Sequence, residues 1–298
     1  MSKLIELNLD ASAMKKSYCD RAFQFTVVRG YEPRMHREPL VMGKALHKYA
    51  HIRAAGGILA DALKSGVEHY TSHQGEDLNK LAMACASFNP DMFLPSPDAS
   101  FLERYFHIPF IERSVGDVLY RVNLCGTLDR IGVQTSEDGT PTMLVAYDYK
   151  STRKYKIDEV IASYKFSIQF MFYYWIMRRY SHVMFPERQD LQSLCVPGSL
   201  FVCACPVMLS GKPIAWRKGP HFTYEHMMST LDTLILAYAE TTIDIAATEG
   251  LAVPNGMMQD ACSTCDYWAI CHSAQTDEQR ENIINSLFKR RNYDPSAF

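Results

Sequence analysis

This 298-residue chain has no long apolar run, no excess of charge of one sign and no internal repeat, and each absence closes a class of explanation. Without an uninterrupted apolar stretch of about 18 residues there is no candidate membrane-spanning helix. Residues Met1 to Lys16 also lack an apolar leader core and an arginine-rich amphipathic pattern. A soluble chain in a reducing compartment, cytoplasmic or otherwise intracellular and with no membrane partner, is the expectation. Lys and Arg number 31 against 33 Asp and Glu, a formal net charge of −2. The chain as a whole thus lacks the basic footprint common in nucleic-acid binders, and any contact with DNA must use local patches. Long polar tracts are missing too, and with 47% hydrophobic and 21% charged residues an ordered globular chain is expected.

What is present is unevenly placed. The nine cysteines are odd in number and irregularly distributed, which argues against a secreted disulfide framework and for metal ligation. Cys262, Cys265 and Cys271 follow a C-x2-C-x5-C spacing, while Cys19 stands near the other end within Tyr18-Cys19-Asp20. A close C-x2-C pair presents two thiolates to one centre, which suits zinc or an iron-sulfur cluster. Three cysteines do not complete a four-ligand site; the fourth ligand is Cys19 or, for zinc, His272. Cys85, Cys125, Cys195, Cys203 and Cys205 read as small core hydrophobes.

Periodicity organises the rest. Helices are expected over 11–25, opened by Asp10 or Ser12 and carrying Cys19, over 40–54 behind Pro39 with His47 near the middle, and over 58–70 and 76–88. Alternation then predicts an antiparallel meander of strands at 101–112, 117–134 and 142–150, with a turn at Glu137-Asp138-Gly139. A long helix from Asp158 through Tyr180, a hairpin of 199–209 with 213–217, and a helix over 223–248 follow. The reading is one α/β domain over 1–298. Its parts are a helical N-terminal region (1–100), a central sheet with the catalytic core (101–220) and a C-terminal helix with the cysteine cluster (221–298).

Two acids stand out within that sheet. On a strand Asp148 and Lys150 share a face while Tyr149 points away, and a turn at Gly139 can set Asp129 beside Asp148. Such a triplet also describes an ordinary surface pair, with Asp129 satisfied by Arg130 or Arg121. The setting favours the first reading. Val122, Leu124, Leu128 and Ile131 flank one acid and Met143, Leu144, Val145 and Ala146 the other, and a carboxylate among such residues needs a compensating partner. Two carboxylates without fixed partners suit a hard divalent cation, Mg²⁺ or Mn²⁺. Such an ion activates a water and offsets charge on a departing oxygen, with Lys150 placed to steady the transition state.

The series Gly43-Lys44-Ala45-Leu46-His47, Glu103, Gly126-Thr127-Leu128-Asp129-Arg130, Asp148-Tyr149-Lys150-Ser151 and Gln169-Phe170-Met171-Phe172-Tyr173 resembles the RecB-type nucleases of the PD-(D/E)xK superfamily. The resemblance spans roughly 12–272. It implies a restriction-endonuclease-like core, a central mixed sheet flanked by helices. It further implies that His47, Asp129, Asp148 and the Tyr149 carbonyl ligate Mg²⁺ or Mn²⁺, that Lys150 is the catalytic lysine, and that Gln169 and Tyr173 orient the site or touch DNA. Within that family an early cysteine followed much later by C-x2-C-x5-C is similar to the iron-sulfur branch, which includes the AddB nuclease domain and the CRISPR-associated spacer-acquisition nucleases. By that likeness Cys19, Cys262, Cys265 and Cys271 hold a 4Fe-4S cluster, with zinc as the alternative. The family often has proline after the first cysteine, where Asp20 stands here. Such a clasp closes nearly the whole chain, which constrains the unfolded state by about 4–5 kcal/mol on the disulfide analogy.

The expected function is a DNA exonuclease acting on single strands or duplex ends. Recombination, repair or replication proteins are its expected partners. Basic residues near Lys150, including Arg153, Lys154, Lys156 and Lys165, and the runs at Arg178-Arg179 and Lys289-Arg290-Arg291, read as DNA contacts or as solvated surface. The interleaved Tyr155, Tyr164, Tyr173 and Tyr174 read as base-stacking or core residues. A catalytically silent nucleic-acid-binding or assembly module and a zinc-stabilised interaction protein are the alternatives.

Overall fold

The computed structural model describes residues 3–34, 38–72, 77–97, 101–152, 157–195, 200–208, 216, 219, 221–256, 261–274 and 276–291. In chain order its first half comprises β1 (Lys3–Leu9), α1 (Ala11–Met14), α2 (Asp20–Phe23), β2 (Tyr31–Pro33), α3 (Glu38–Ala54), α4 (Leu59–Ser72), α5 (Leu78–Ala86), β3 (Leu102–Val115), β4 (Val118–Thr135) and β5 (Pro141–Thr152). There follow α6 (Ile157–Ser163), α7 (Ile168–Arg179), α8 (Ser181–Met184), α9 (Gln189–Gln192), β6 (Leu200–Met208), β7 (His221–Phe222), α10 (Met228–Ala247), α11 (Trp268–His272), α12 (Asp277–Leu287) and β8 (Phe288–Arg290). Two compact units form: Met1–Met35, Phe106–Gly126 and Ser229–Phe298 make the first, and His36–Tyr105 with Thr127–Met228 make the second. None of the described helices is long and apolar enough to cross a membrane.

In the first unit β1 runs parallel to the opening half of β4, from Lys3 opposite Val118 to Leu9 opposite Leu124. The periodicity reading began after this strand and missed it. Asp10 caps α1 by accepting from the Ala13 amide at 2.6 Å. The single helix expected over 11–25 does not form, and Cys19 is not helical: at φ −147° and ψ 115° it is the extended residue before α2. The cause lies far away in sequence. Asp20 and Arg21 direct their amides to the Asn255 side chain at 2.8 Å and the Val253 carbonyl at 3.2 Å, where a continuous helix would need them for its own ladder. Gln24 adds bonds to Gly250 O and the Ala252 amide, each at 3.0 Å.

Cys19, Ala22, Phe25, Tyr31, Tyr267, Ile270, Ile284 and Phe288 make one core of this unit, closed by the antiparallel pairing of β2 with β8. Tyr267 lies at its centre, 2% exposed. Its hydroxyl donates to the Tyr31 carbonyl at 2.8 Å and meets Thr26 Oγ1 at 2.9 Å. The basic run read as DNA contacts or solvated surface is engaged here: Lys289 and Arg291 pair with Glu32, and Arg291 also with Asp10.

In the second unit the sheet order is β4-β5-β6-β7, with β5 antiparallel to β4, β6 parallel to β5 and β7 antiparallel to β6. A mixed sheet with α3 against β5 and with α6 and α7 against β6 is the expected α/β arrangement. The long helix expected from Asp158 to Tyr180 is broken by a 3-10 turn at Tyr164–Phe166 and an extended Ser167 at φ −69° and ψ 126°. Periodicity persists across the break because both sides bury apolar residues, Ile161 before it and Phe170 and Phe172 after. Of the expected hairpin partner 213–217 only Trp216 is among the described residues; the antiparallel neighbour described for β6 is β7.

Replacing Tyr267 with Phe strands the Tyr31 carbonyl in a buried setting, and such a loss costs about 1–3 kcal/mol. A lower urea midpoint at unchanged slope is the expected outcome; an unmoved midpoint contradicts this account of the core.

Candidate functional site

The pleat of β5 sorts its residues onto two faces. Tyr147 and Tyr149 enter an aromatic core with Phe88, Phe93 and Trp216; the Tyr149 ring meets Trp216 at 5.6 Å and Phe93 at 5.7 Å between centroids. Asp148 and Lys150 take the other face and form an ion pair between Oδ2 and Nζ. Asp148 is 2% exposed. Gln169, near the start of α7, donates from Nε2 to Asp148 Oδ1 at 2.7 Å, with the Tyr173 hydroxyl 3.3 Å from the same nitrogen.

The Tyr149 peptide ties the remaining groups together. Its amide donates to Asp129 Oδ2 at 2.5 Å, and its carbonyl lies 2.8 Å from His47 Nε2. His47 turns Nδ1 toward Asp129 Oδ1 at 3.4 Å. The alternative partners of Asp129 are engaged elsewhere: Arg121 with Glu6 and Glu112, and Arg130 with the Leu94 carbonyl. His47, Asp129, Asp148, Tyr149, Lys150, Gln169 and Tyr173 therefore share one neighbourhood in the second unit.

Charges in this cluster sustain one another. Burial alone would push the Asp129 carboxyl up, but His47, Lys150 and the Tyr149 amide outweigh it and hold the group below its ordinary value. At Asp148 burial wins over Lys150 and raises the carboxyl. Burial opposes charge on Lys150 and on His47 alike, yet Asp148 and Asp129 raise the first and Asp129 the second. The cluster thus sets two carboxyl groups against an ammonium and an imidazole.

Position 43 marks where α3 meets β5. A Cβ on Gly43 would lie 3.4 Å from Ser151 Oγ, so this face of the helix rests close against the end of β5, one turn before His47. Glu103 of the quoted series makes ion pairs with Lys48 and His51 at 3.9 and 3.8 Å. Its backbone is left-handed at φ 49°, a conformation that no neighbouring turn residue announces. Tyr174 is a core residue, its hydroxyl bonded to Thr223 and Glu225, and Arg178 is held by the same Glu225 at 2.9 Å. Arg153, Lys154, Tyr155 and Lys156 lie outside the described residues.

All four cysteines of the expected clasp fall in the first unit. Burial raises the Cys262 thiol, and Cys265 and Cys19 add to the shift; Cys271 is raised by burial and, against the pull of Arg21, by Cys265 and Cys19. Their sulfurs therefore feel one another. A Cβ on Gly256 would fall 2.7 Å from Cys19 Cβ and 3.2 Å from its sulfur, so only glycine permits this approach. His272, the alternative ligand, stacks on Trp268 at 5.5 Å. Cys85 and Cys125 are core thiols as expected, Cys85 pushed up to about 12 by burial; the side chains of Cys195, Cys203 and Cys205 lie outside the described residues.

Among the described residues no group of three or more His, Cys, Asp or Glu stands at metal-holding spacing, at the acids or at the thiols. Donor chemistry nevertheless fits at both places. Asp148 Oδ2 is buried with Lys150 Nζ as its partner, and with the Asp129 carboxylate and the Tyr149 carbonyl it belongs to a set of hard oxygens of the kind Mg²⁺ or Mn²⁺ takes. Sulfurs that resist one another's ionisation are the soft donors that iron or zinc relieves.

No curated protein matches the chain. Among solved structures, one described as "Crystal structure of SSO0001" is similar at 16% identity over 90% of this chain and 87% of that one, with a TM-score of 0.31, too low to carry an argument about shape. The family model described as the PD-(D/E)XK nuclease superfamily matches residues 16–272. That span takes in His47, both acids, Lys150, Gln169 and all four cysteines, and the chain belongs to the PD-(D/E)XK nuclease superfamily.

Proposed function

We propose that this chain is a metal-dependent DNA exonuclease of the RecB type, acting on single strands or duplex ends. The observation that supports it most directly is the gathering of Asp129 and His47 on the Tyr149 peptide, with Asp148 and Lys150 as its sequence neighbours. Asp129, Asp148 and the Tyr149 carbonyl offer hard oxygens and His47 an imidazole nitrogen to Mg²⁺ or Mn²⁺. When bound, such an ion lowers the pKa of a water and offsets charge on the departing oxygen.

The protein's own groups supply the rest. Lys150, held protonated by the two acids, brings a fixed ammonium to the oxygens of a scissile phosphate or to the attacking water. Gln169 fixes Asp148 through Oδ1, so the carboxylate keeps its aim when Lys150 turns toward substrate. His47 orients Asp129. The reading extends to the iron-sulfur branch: Cys19, Cys262, Cys265 and Cys271 would hold a 4Fe-4S cluster with a structural role, supported by their spacing and shared electrostatics.

Asp129→Ala and Lys150→Ala should each lower Mn²⁺-dependent release of nucleotides from end-labelled single-stranded DNA by about 10²–10³, the usual loss for one preorganised charge. Full activity in either variant contradicts the mechanism. Anaerobically purified protein should contain iron and absorb broadly in the visible, and Cys19→Ala should lose both. Zinc without visible absorption, or iron retained in full by that variant, overturns the cluster assignment.

A further inference from the structure

We infer that Phe166 is a stacking platform for an unpaired base of single-stranded DNA beside the acid site, an inference that rests on the nuclease reading above. Phe166 is 68% exposed, whereas Phe170 and Phe172 on the adjoining helix are fully buried. One exposed Phe on a surface is ordinary. Its place here is not.

The turn Tyr164–Phe166 is fastened on the site side. Tyr164 packs on Phe170 at 5.5 Å between ring centroids and lies within electrostatic range of both Lys150 and Asp148. The Ser167 amide donates to the Tyr164 carbonyl at 2.9 Å, and Ser167 O in turn accepts from the amides of Phe170 and Met171. Gln169, which holds Asp148, follows Phe166 by three positions, so their backbones lie within about 11 Å even if the chain were fully extended. Adding about 6 Å for the reach of each side chain puts the Phe166 ring within about 23 Å of the acids, about seven nucleotides at a stacked rise of ~3.4 Å. Lys165 completes the platform. Its ammonium is 5.6 Å from the Phe166 ring centroid, where it strengthens the ring as a cation–π partner and stands ready for the phosphate of the stacked nucleotide. Bases inside a duplex have both faces covered, so such a platform selects single strands.

Binding is measured without divalent cation, so that no bond is cut, using single-stranded DNA carrying 2-aminopurine and a blunt duplex of the same sequence. Phe166→Ala should weaken single-strand binding about tenfold and raise KM for its digestion by a similar factor, with loss of 2-aminopurine quenching. Phe166→Trp should restore all three, and blunt-duplex binding should change by less than about twofold. If Phe166→Ala binds the single strand as tightly as the parent chain, or weakens both substrates equally, the inference fails while the nuclease reading stands. Should Phe166→Ala be unfolded, a Trp variant that folds but does not quench is equally contrary. If the parent chain neither binds nor cuts either DNA, the nuclease reading itself is what has failed.

Discussion

A carboxylate buried in the middle of a sheet is the constraint around which the second unit is arranged. Asp148, at 2% exposure, cannot remain charged by itself, and leaving one such charge uncompensated typically costs several kcal/mol. Its compensation comes from different parts of the chain: Lys150 on the same strand, Gln169 from α7, and through Asp129 the imidazole of His47 on α3. Each partner demands something of the architecture. α3 must approach β5 closely enough to deliver His47, and α7 must begin anew after Ser167 to bring Gln169 to the strand.

Largely withdrawn from solvent, with the His47 and Lys150 side chains still 30% and 24% exposed, these groups set two carboxyls against an ammonium and an imidazole. Groups that offset one another in this way leave no mark on a net charge of −2. For that reason the overall composition said little about DNA. The basic residues that looked like a binding face are partly consumed by structure, Arg178 by Glu225 and Lys289 and Arg291 by Glu32.

How legible this was depends on whether the cause was local. The strands β3 to β5, the helices α3 to α5 and α10, and the Gly139 turn follow from nearby periodicity and turn chemistry, and the structure has them within a few residues of expectation. The opposite faces of Tyr149 and Asp148 follow from the pleat alone. What escaped was set by distant partners. The break before α2 exists because residues 253 and 255 take the amides of Asp20 and Arg21. β1 alternates at Ile5, Leu7 and Leu9 over only seven residues, and what fixes it as a strand is its parallel pairing with the distant β4. Apolar positions run on through the Tyr164–Ser167 break, so a period count sees one helix where there are two. The gathering of His47, Asp129, Asp148 and Lys150 was legible only as an ordered series, since no spacing rule links residue 47 to residue 129.

Tyr149 carries a consequence beyond its ring packing. Its side chain is locked among Phe88, Phe93 and Trp216, while its own amide and carbonyl hold Asp129 and His47. The Tyr149 amide and carbonyl belong to two peptide planes that meet at its Cα, so the seat of the ring, by fixing that Cα, bears on both groups that grip the acid and the imidazole. The aromatic core here acts as an alignment jig: its tolerances become those of the polar cluster on the far side of the strand. Changes among those rings are therefore free to accumulate only in combinations that leave the Tyr149 Cα where it is.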